Sequence, residues 1–192
     1  MRKILFLIGL AMLSAFACKA QDSYRISGKV SGMTDGPLLL IANEREKPDT
    51  LGSVTVKNGV FVFTGKVNAP VAAYLAPSDG NGMIPLILEN ANFMVNVSGR
   101  GAMIQGGKQQ ELLTRFTRIS QAFLAEQAKV AAEAQQPGAN VQALQDRVNK
   151  AYEASVNATI ELIKANPDEY ATAHVIALGI SGETEEGLRS KY

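Results

Sequence analysis

The stretch Val54-Thr55-Val56-Lys57-Asn58-Gly59-Val60-Phe61-Val62-Phe63-Thr64 decides the fold class. β-Branched and aromatic residues crowd both sides of an Asn-Gly pair. Such side chains fit a pleated, half-buried surface, and Asn-Gly tolerates the positive φ angles of a tight turn. The stretch predicts two strands joined by a hairpin turn. Upstream, Ile26, Gly28 and Val30 alternate with polar neighbours, and Ser31 to Pro37 supplies a turn. Leu38-Leu39-Leu40-Ile41 reads as a buried strand, and Asn43 to Asp49, with Pro48, as a charged loop. Downstream, Val71 to Leu75, Ile84 to Leu88 and Phe93 to Val97 read as strands, separated by Ser78-Asp79-Gly80-Asn81-Gly82 and Glu89-Asn90-Ala91-Asn92. About seven strands with local turns predict an antiparallel β-sandwich or open barrel over residues 23–105.

At Gly106-Gly107 the period changes. Leu112, Phe116, Ile119 and Phe123 are spaced as one helical stripe, and Gln135-Gln136-Pro137-Gly138 stops that helix. Val141, Leu144, Val148, Tyr152, Ser155, Thr159 and Ile163 form a second stripe. Asn166-Pro167-Asp168-Glu169 predicts a third helix start, with an Asn cap and Pro in the first turn. A turn at Gly179 to Gly182 opens a fourth helix, Glu183 to Tyr192, too short to be stable without packing. Residues 107–192 therefore read as a helical segment whose layout is cut short. The expected class is α+β, an N-terminal sandwich or barrel followed by a helical hairpin or bundle.

Composition sets limits. The 192 residues are 46% hydrophobic and 19% charged with net charge +1, a globular balance that gives no electrostatic reason to bind nucleic acid. One cysteine excludes an intrachain disulfide, and with one histidine it leaves too few ligands for a Cys/His zinc site. The absence of Trp argues against an aromatic platform for sugars or bases.

The N-terminus reads as an address. Met1-Arg2-Lys3 precedes an apolar run, Ile4 to Ala17, that as a helix spans about 21 Å, short of the roughly 30 Å hydrocarbon core. Residues 1–17 are the expected signal peptide, with a cut after Ala20 as the alternative. Ala15-Phe16-Ala17-Cys18 resembles a relaxed bacterial lipobox, in which Cys18 is lipidated and becomes the new N-terminus; Ala15 stands where Leu is usual. Losing residues 1–17 removes Arg2 and Lys3 and leaves net charge −1. The expected location is the periplasm or the cell surface, with a lipid anchor holding the chain on a membrane.

An ordered set of short motifs carries a family resemblance. Gly28-Lys29-Val30-Ser31-Gly32, Asp35-Gly36, Asp49-Thr50, Asn58 to Phe63, Ile84-Pro85-Leu86-Ile87-Leu88-Glu89-Asn90 and the Gly106-Gly107 helix start fall in the order of the domain of unknown function 4369, which the chain resembles over about residues 24 to 178. The resemblance implies a β module of exported bacterial proteins, followed by a helical segment and then a thioredoxin-like domain of the thiol–disulfide oxidoreductase or peroxiredoxin type. Nothing in this sequence corresponds to that last domain, and there is no Cys-x-x-Cys. Dithiol exchange needs an attacking and a resolving sulfur, so that activity passes to no residue here.

The remaining candidates are weaker. Gly101 to Gln109 would need Gly at 102 and Ser or Thr at 109 to be a phosphate loop, and it reads instead as a strand-to-helix connector. Asp79-Gly80-Asn81-Gly82 lacks the further acids of a calcium loop. His174 stands in a mostly apolar helix without a nucleophile motif, and Glu89 and Asp49 are isolated acids. Asp49-Thr50-Leu51 resembles a short O-glycosylation signal of exported proteins in some Gram-negative anaerobes, with a loop acid capping Thr50 as the alternative. The expected site set has no catalytic, cofactor-binding or metal-binding residue; it comprises Cys18 for lipidation and Thr50 for glycosylation. The expected function is a non-enzymatic, lipid-anchored binding or scaffold module of the cell envelope. The alternative is a truncated or split part of a thiol–disulfide oxidoreductase, whose thioredoxin-like domain is a partner chain or is lost.

Overall fold

The computed structural model describes residues 21–32, 35–44, 47–77, 82–99 and 101–180. Among these residues eight strands come first: β1 (Tyr24–Val30), β2 (Gly36–Glu44), β3 (Lys47–Val56), β4 (Val60–Gly65), β5 (Val71–Pro77), β6 (Ile84–Leu88), β7 (Asn92–Ser98) and β8 (Gly101–Gln105). They form two four-stranded sheets, ordered β4-β1-β7-β8 and β3-β2-β5-β6. Helices α1 (Lys108–Ala134), α2 (Val141–Ala165) and α3 (Tyr170–Ile180) follow, giving the α+β arrangement with its β part first. The expected fourth helix, 183–192, lies outside the described residues, as do the signal peptide and Cys18.

The sandwich core is the inward row of each strand. Tyr24, Ile26, Phe61, Phe63, Phe93 and Val95 of one sheet meet Leu38, Leu40, Val56, Leu75, Leu86 and Leu88 of the other. Two glycines make room for rings. Gly28 pairs with Phe61, and a Cβ at position 28 would lie 2.1 Å from the ring; Gly65 pairs with Tyr24 in the same way.

The Asn58-Gly59 turn forms, with φ of 51° and 73°, but it does not make a long hairpin. Lys57 and Val60 exchange one pair of backbone hydrogen bonds, after which β3 and β4 diverge into different sheets. The turn is pinned from outside. The Asp35 carboxylate accepts from Asn58 N at 2.8 Å, and Val30 N donates to Gly59 O at 2.7 Å. This corner closes one side of the sandwich.

Three expectations are corrected. The predicted sandwich is not wholly antiparallel, because β1 runs parallel to β7, with Ile26 opposite Phe93. Alternation identifies a strand but not its partner's direction. The segment expected as a charged loop is mostly strand: β2 runs to Glu44 and β3 starts at Lys47, with Ala42 opposite Asp49. Edge pairing absorbed Pro48, which a central strand would not. Finally, Asn166 does not cap α3. It ends α2, its Nδ2 donating to Leu162 O at 2.9 Å, and α3 starts at Tyr170.

A second, smaller core joins the helices to the sandwich. Leu112 and Phe116 of α1, Leu162 of α2 and Ala171 of α3 pack around Ile87, on the face of β6 opposite Leu86 and Leu88. α1 has 27 residues and is about 40 Å long. Among the described residues its far half packs on α2, with Val130 and Leu144 buried and Phe123 and Tyr152 meeting edge to face. Arg147 of α2 reaches across to Glu126 at 2.7 Å and to Glu133. Both carboxylates hold the guanidinium's pKa above its already high value, so Arg147 itself stays charged at every accessible pH. No helix among the described residues is long and apolar enough to cross a membrane.

Candidate functional site

The junction of sheet and helices concentrates the buried polar groups, and Gln109 and Gln110 can each be traced to an unmet backbone need. α1 begins at Gly107 without a side-chain cap of its own. Glu89, from the β6–β7 turn, supplies it: its Oε1 accepts from Gln109 N at 2.7 Å, a carboxylate at the positive end of the helix. Gln109 is 6% exposed and serves α3. Its Oε1 accepts from Ala171 N at 2.9 Å, and its Nε2 donates to Glu169 at 2.5 Å. Lys108 Nζ donates to the other Glu169 oxygen at 2.5 Å. Tyr170 Oη accepts from Ala72 N at 3.0 Å, which ties α3 to β5. Asn90 holds Val67 with paired bonds, accepting from its N and donating to its O.

The Glu89-Asn90 motif is therefore used in holding the fold. The acids do not form a reactive pair: Asp49 lies on β3 and Glu89 follows β6, at opposite edges of one sheet. Thr50 is exposed on β3 opposite Ile41, beside the register shift at Leu40/Ile41, so it is a strand residue and not a capped loop residue. Gly101 to Gln105 is strand β8, and Gly106-Gly107 is the connector to α1. Asp79 to Asn81 of the weighed calcium loop lie outside the described residues. Among the described residues no group of three or more His, Cys, Asp or Glu is placed to hold a metal ion. The Thr172 hydroxyl is buried there without a hydrogen-bond partner among the described residues, and nothing in the structure explains it.

His174 stacks on Tyr170, ring centroids 6.2 Å apart and planes 11° from parallel. Burial lowers its pKa, and the bonds from Lys108 and Gln109 lower that of Glu169. Both shifts make the folded state bind protons less readily than the unfolded chain, so stability falls as pH falls. The histidine contribution is lost first, below the ordinary histidine value near 6.5, and the Glu169 contribution only in the carboxylate range. His174 is the chain's one histidine. Thermal unfolding should show a midpoint falling between about pH 7.5 and 5.5 in the native chain and flat in His174→Gln over that window. An equal fall in both would remove the histidine from the account.

Among the described residues the sandwich has an open side opposite the β3–β4 corner, between edge strands β6 and β8. A groove of about 400 Å³ runs there, lined by Ile84 and Pro85 of β6, Met103 and Ile104 of β8, and Leu113 and Arg118 of α1. Sequence reasoning missed it because it is made by the meeting of three separate elements. Pro85 on an edge was the signal available.

Compared with known families, residues 24–113 match the domain of unknown function DUF4369. The match ends after the first turn of α1, and so includes Gln109 and Gln110 as well as all eight strands. No curated protein matches the chain.

Proposed function

Starting from residues 24–113 as a DUF4369 domain, we propose that the chain is an exported, lipid-anchored, non-enzymatic binding module of the cell envelope. The observation that carries the binding role is the open groove between β6 and β8, on a domain whose other polar clusters are engaged in holding sheet to helix. The anchor rests on Ala15-Phe16-Ala17-Cys18 and the apolar run before it. In this reading the sandwich binds and the helical pair spaces or docks it. A lipidated Cys18 carries its sulfur as a thioether, which does no redox chemistry, and these 192 residues hold no second cysteine.

One observation favours a second reading. α3 leaves Ile176 and Leu178 exposed, the latter by 61%, as expected of a surface that receives a separate thioredoxin-like domain of a split thiol–disulfide oxidoreductase. A Cys-x-x-Cys reading frame just downstream in the DNA supports that reading, and unrelated sequence there counts against it.

Cell fractionation tests the anchor. Cys18→Ser should move the protein from the membrane to the soluble fraction almost completely, because multiple acyl chains and not the folded surface hold it there. Unchanged membrane association would defeat the lipidation proposal. Insulin reduction by the purified chain above a heat-killed control would defeat the non-enzymatic one.

A further inference from the structure

We propose that the outer edge of β8 accepts an extended polypeptide segment bearing a carboxylate side chain, which adds to the sheet as a strand and pairs with Arg118. The proposal rests on the reading of the chain as a binding module and names where and how it binds.

The two edges that face the groove are treated differently by the sequence. In an antiparallel pair successive residues point their N–H groups alternately toward the partner strand and away from it. On β6, Ile87 points away from β5, and its N–H is taken by Gln110 Oε1 at 2.8 Å. Two residues back, the outward position is Pro85, which has no N–H. Both outward donors of β6 are thus removed or satisfied within the chain. β8 has no such device. It pairs with β7 on one side and with no strand on the other among the described residues. Its sequence, Gly101-Ala102-Met103-Ile104-Gln105, holds no charge and no proline, the usual means of blunting an exposed edge. An edge left bare beside one carefully closed is the arrangement that strand addition uses.

Charge selects the occupant. Among the described residues Arg118 is the only charged side chain lining the groove, and it forms no ion pair with any of them. Thr114 and Thr117 beside it give their hydroxyls to helix carbonyls, at 2.9 and 3.0 Å. An entering carboxylate therefore meets a guanidinium with no acid in this lining among the described residues; Glu161, which lines a neighbouring pocket with Arg118, pairs with Lys164 at 3.1 Å. Met94 and Met103 add adaptable apolar surface on the outer face beside β8, 56% and 60% exposed.

The probe is a fluorescent, end-blocked decapeptide of alternating Thr and Val with one central Glu, titrated into the full chain. A Lys version should bind about fivefold more weakly, and Arg118→Glu should reverse that preference. N-methylation of alternate peptide residues should weaken binding at least about tenfold, because it removes the ladder and leaves the protein untouched. Amide exchange should slow in β8 on binding. Equal binding of the Glu and Lys peptides, indifference to N-methylation, or protection of another edge would each overturn the proposal. So would β8 amides already protected in a concentration-dependent dimer, which would make a second copy the occupant. If no peptide binds while Cys18→Ser still releases the chain from membranes, strand addition at β8 falls and the lipid anchor alone stands.

Discussion

Gly106→Ala is expected to destabilise the protein by roughly 4 kcal/mol, a large share of the 5–15 kcal/mol that holds a typical domain together. Two costs combine at this position. Gly106 has φ of 92°, where L side chains are strained. A Cβ there would also lie 2.0 Å from Asn92 O, a backbone atom at the start of β7 that cannot swing aside. Relief requires β7 or the β8–α1 connector to shift, and that connector also carries Gly107, against Phe93 and Glu89. The urea midpoint should fall by about 2 M. Gly138→Ala is the control: its φ is 80°, but nothing lies within 4 Å of the new methyl, so it should cost about 1 kcal/mol. Equal losses at the two sites would show that backbone strain alone, and not the clash, sets the effect.

Phe116→Ala should cost about 3 kcal/mol and should act selectively. Phe116 is 5% exposed and belongs to the small core around Ile87, not to the core between the sheets. Truncating it leaves Leu112, Leu162 and Ala171 around a void. Hydrogen exchange should then speed at Leu162 and Ala171 and at the Ile87 amide that Gln110 covers, while Ile26 and Val95 in the sandwich keep their protection. Simultaneous loss of protection in both regions would show that the two cores are one cooperative unit.

Much of the fold could be read from local chemistry. Val60 to Phe63 beyond Asn58-Gly59, and the spacing of Leu112, Phe116 and Ile119, predict strand and helix correctly because each depends on near neighbours. What escaped the sequence depends on distant ones. Nothing near Ile26 indicates that Phe93 will lie beside it in the same direction. Nothing near Glu89 indicates that a helix twenty residues on will need its carboxylate. Asn166-Pro167 misled for the same reason: the local pattern of a cap was satisfied, but Gln109, far upstream, supplies the acceptor at the start of α3. The stripe on α2 was legible only in part. Leu144 is buried, but Val141 and Tyr152 are exposed, because in its far half α2 has, among the described residues, only α1 to pack against. The groove has no local pattern, since its lining is shared among β6, β8 and α1 and none of the residues that each contributes is unusual by itself.

The parallel pairing of β1 with β7 sets a tempo. As the polypeptide emerges from the ribosome, Ile26 finds its first neighbour only when Phe63 has been made and its second only with Phe93. Contacts so remote along the chain lower folding rates, to the millisecond-to-second range for β-rich topologies. β1 therefore lacks its second partner until β7 has been made, and the core around Ile26 cannot close before then.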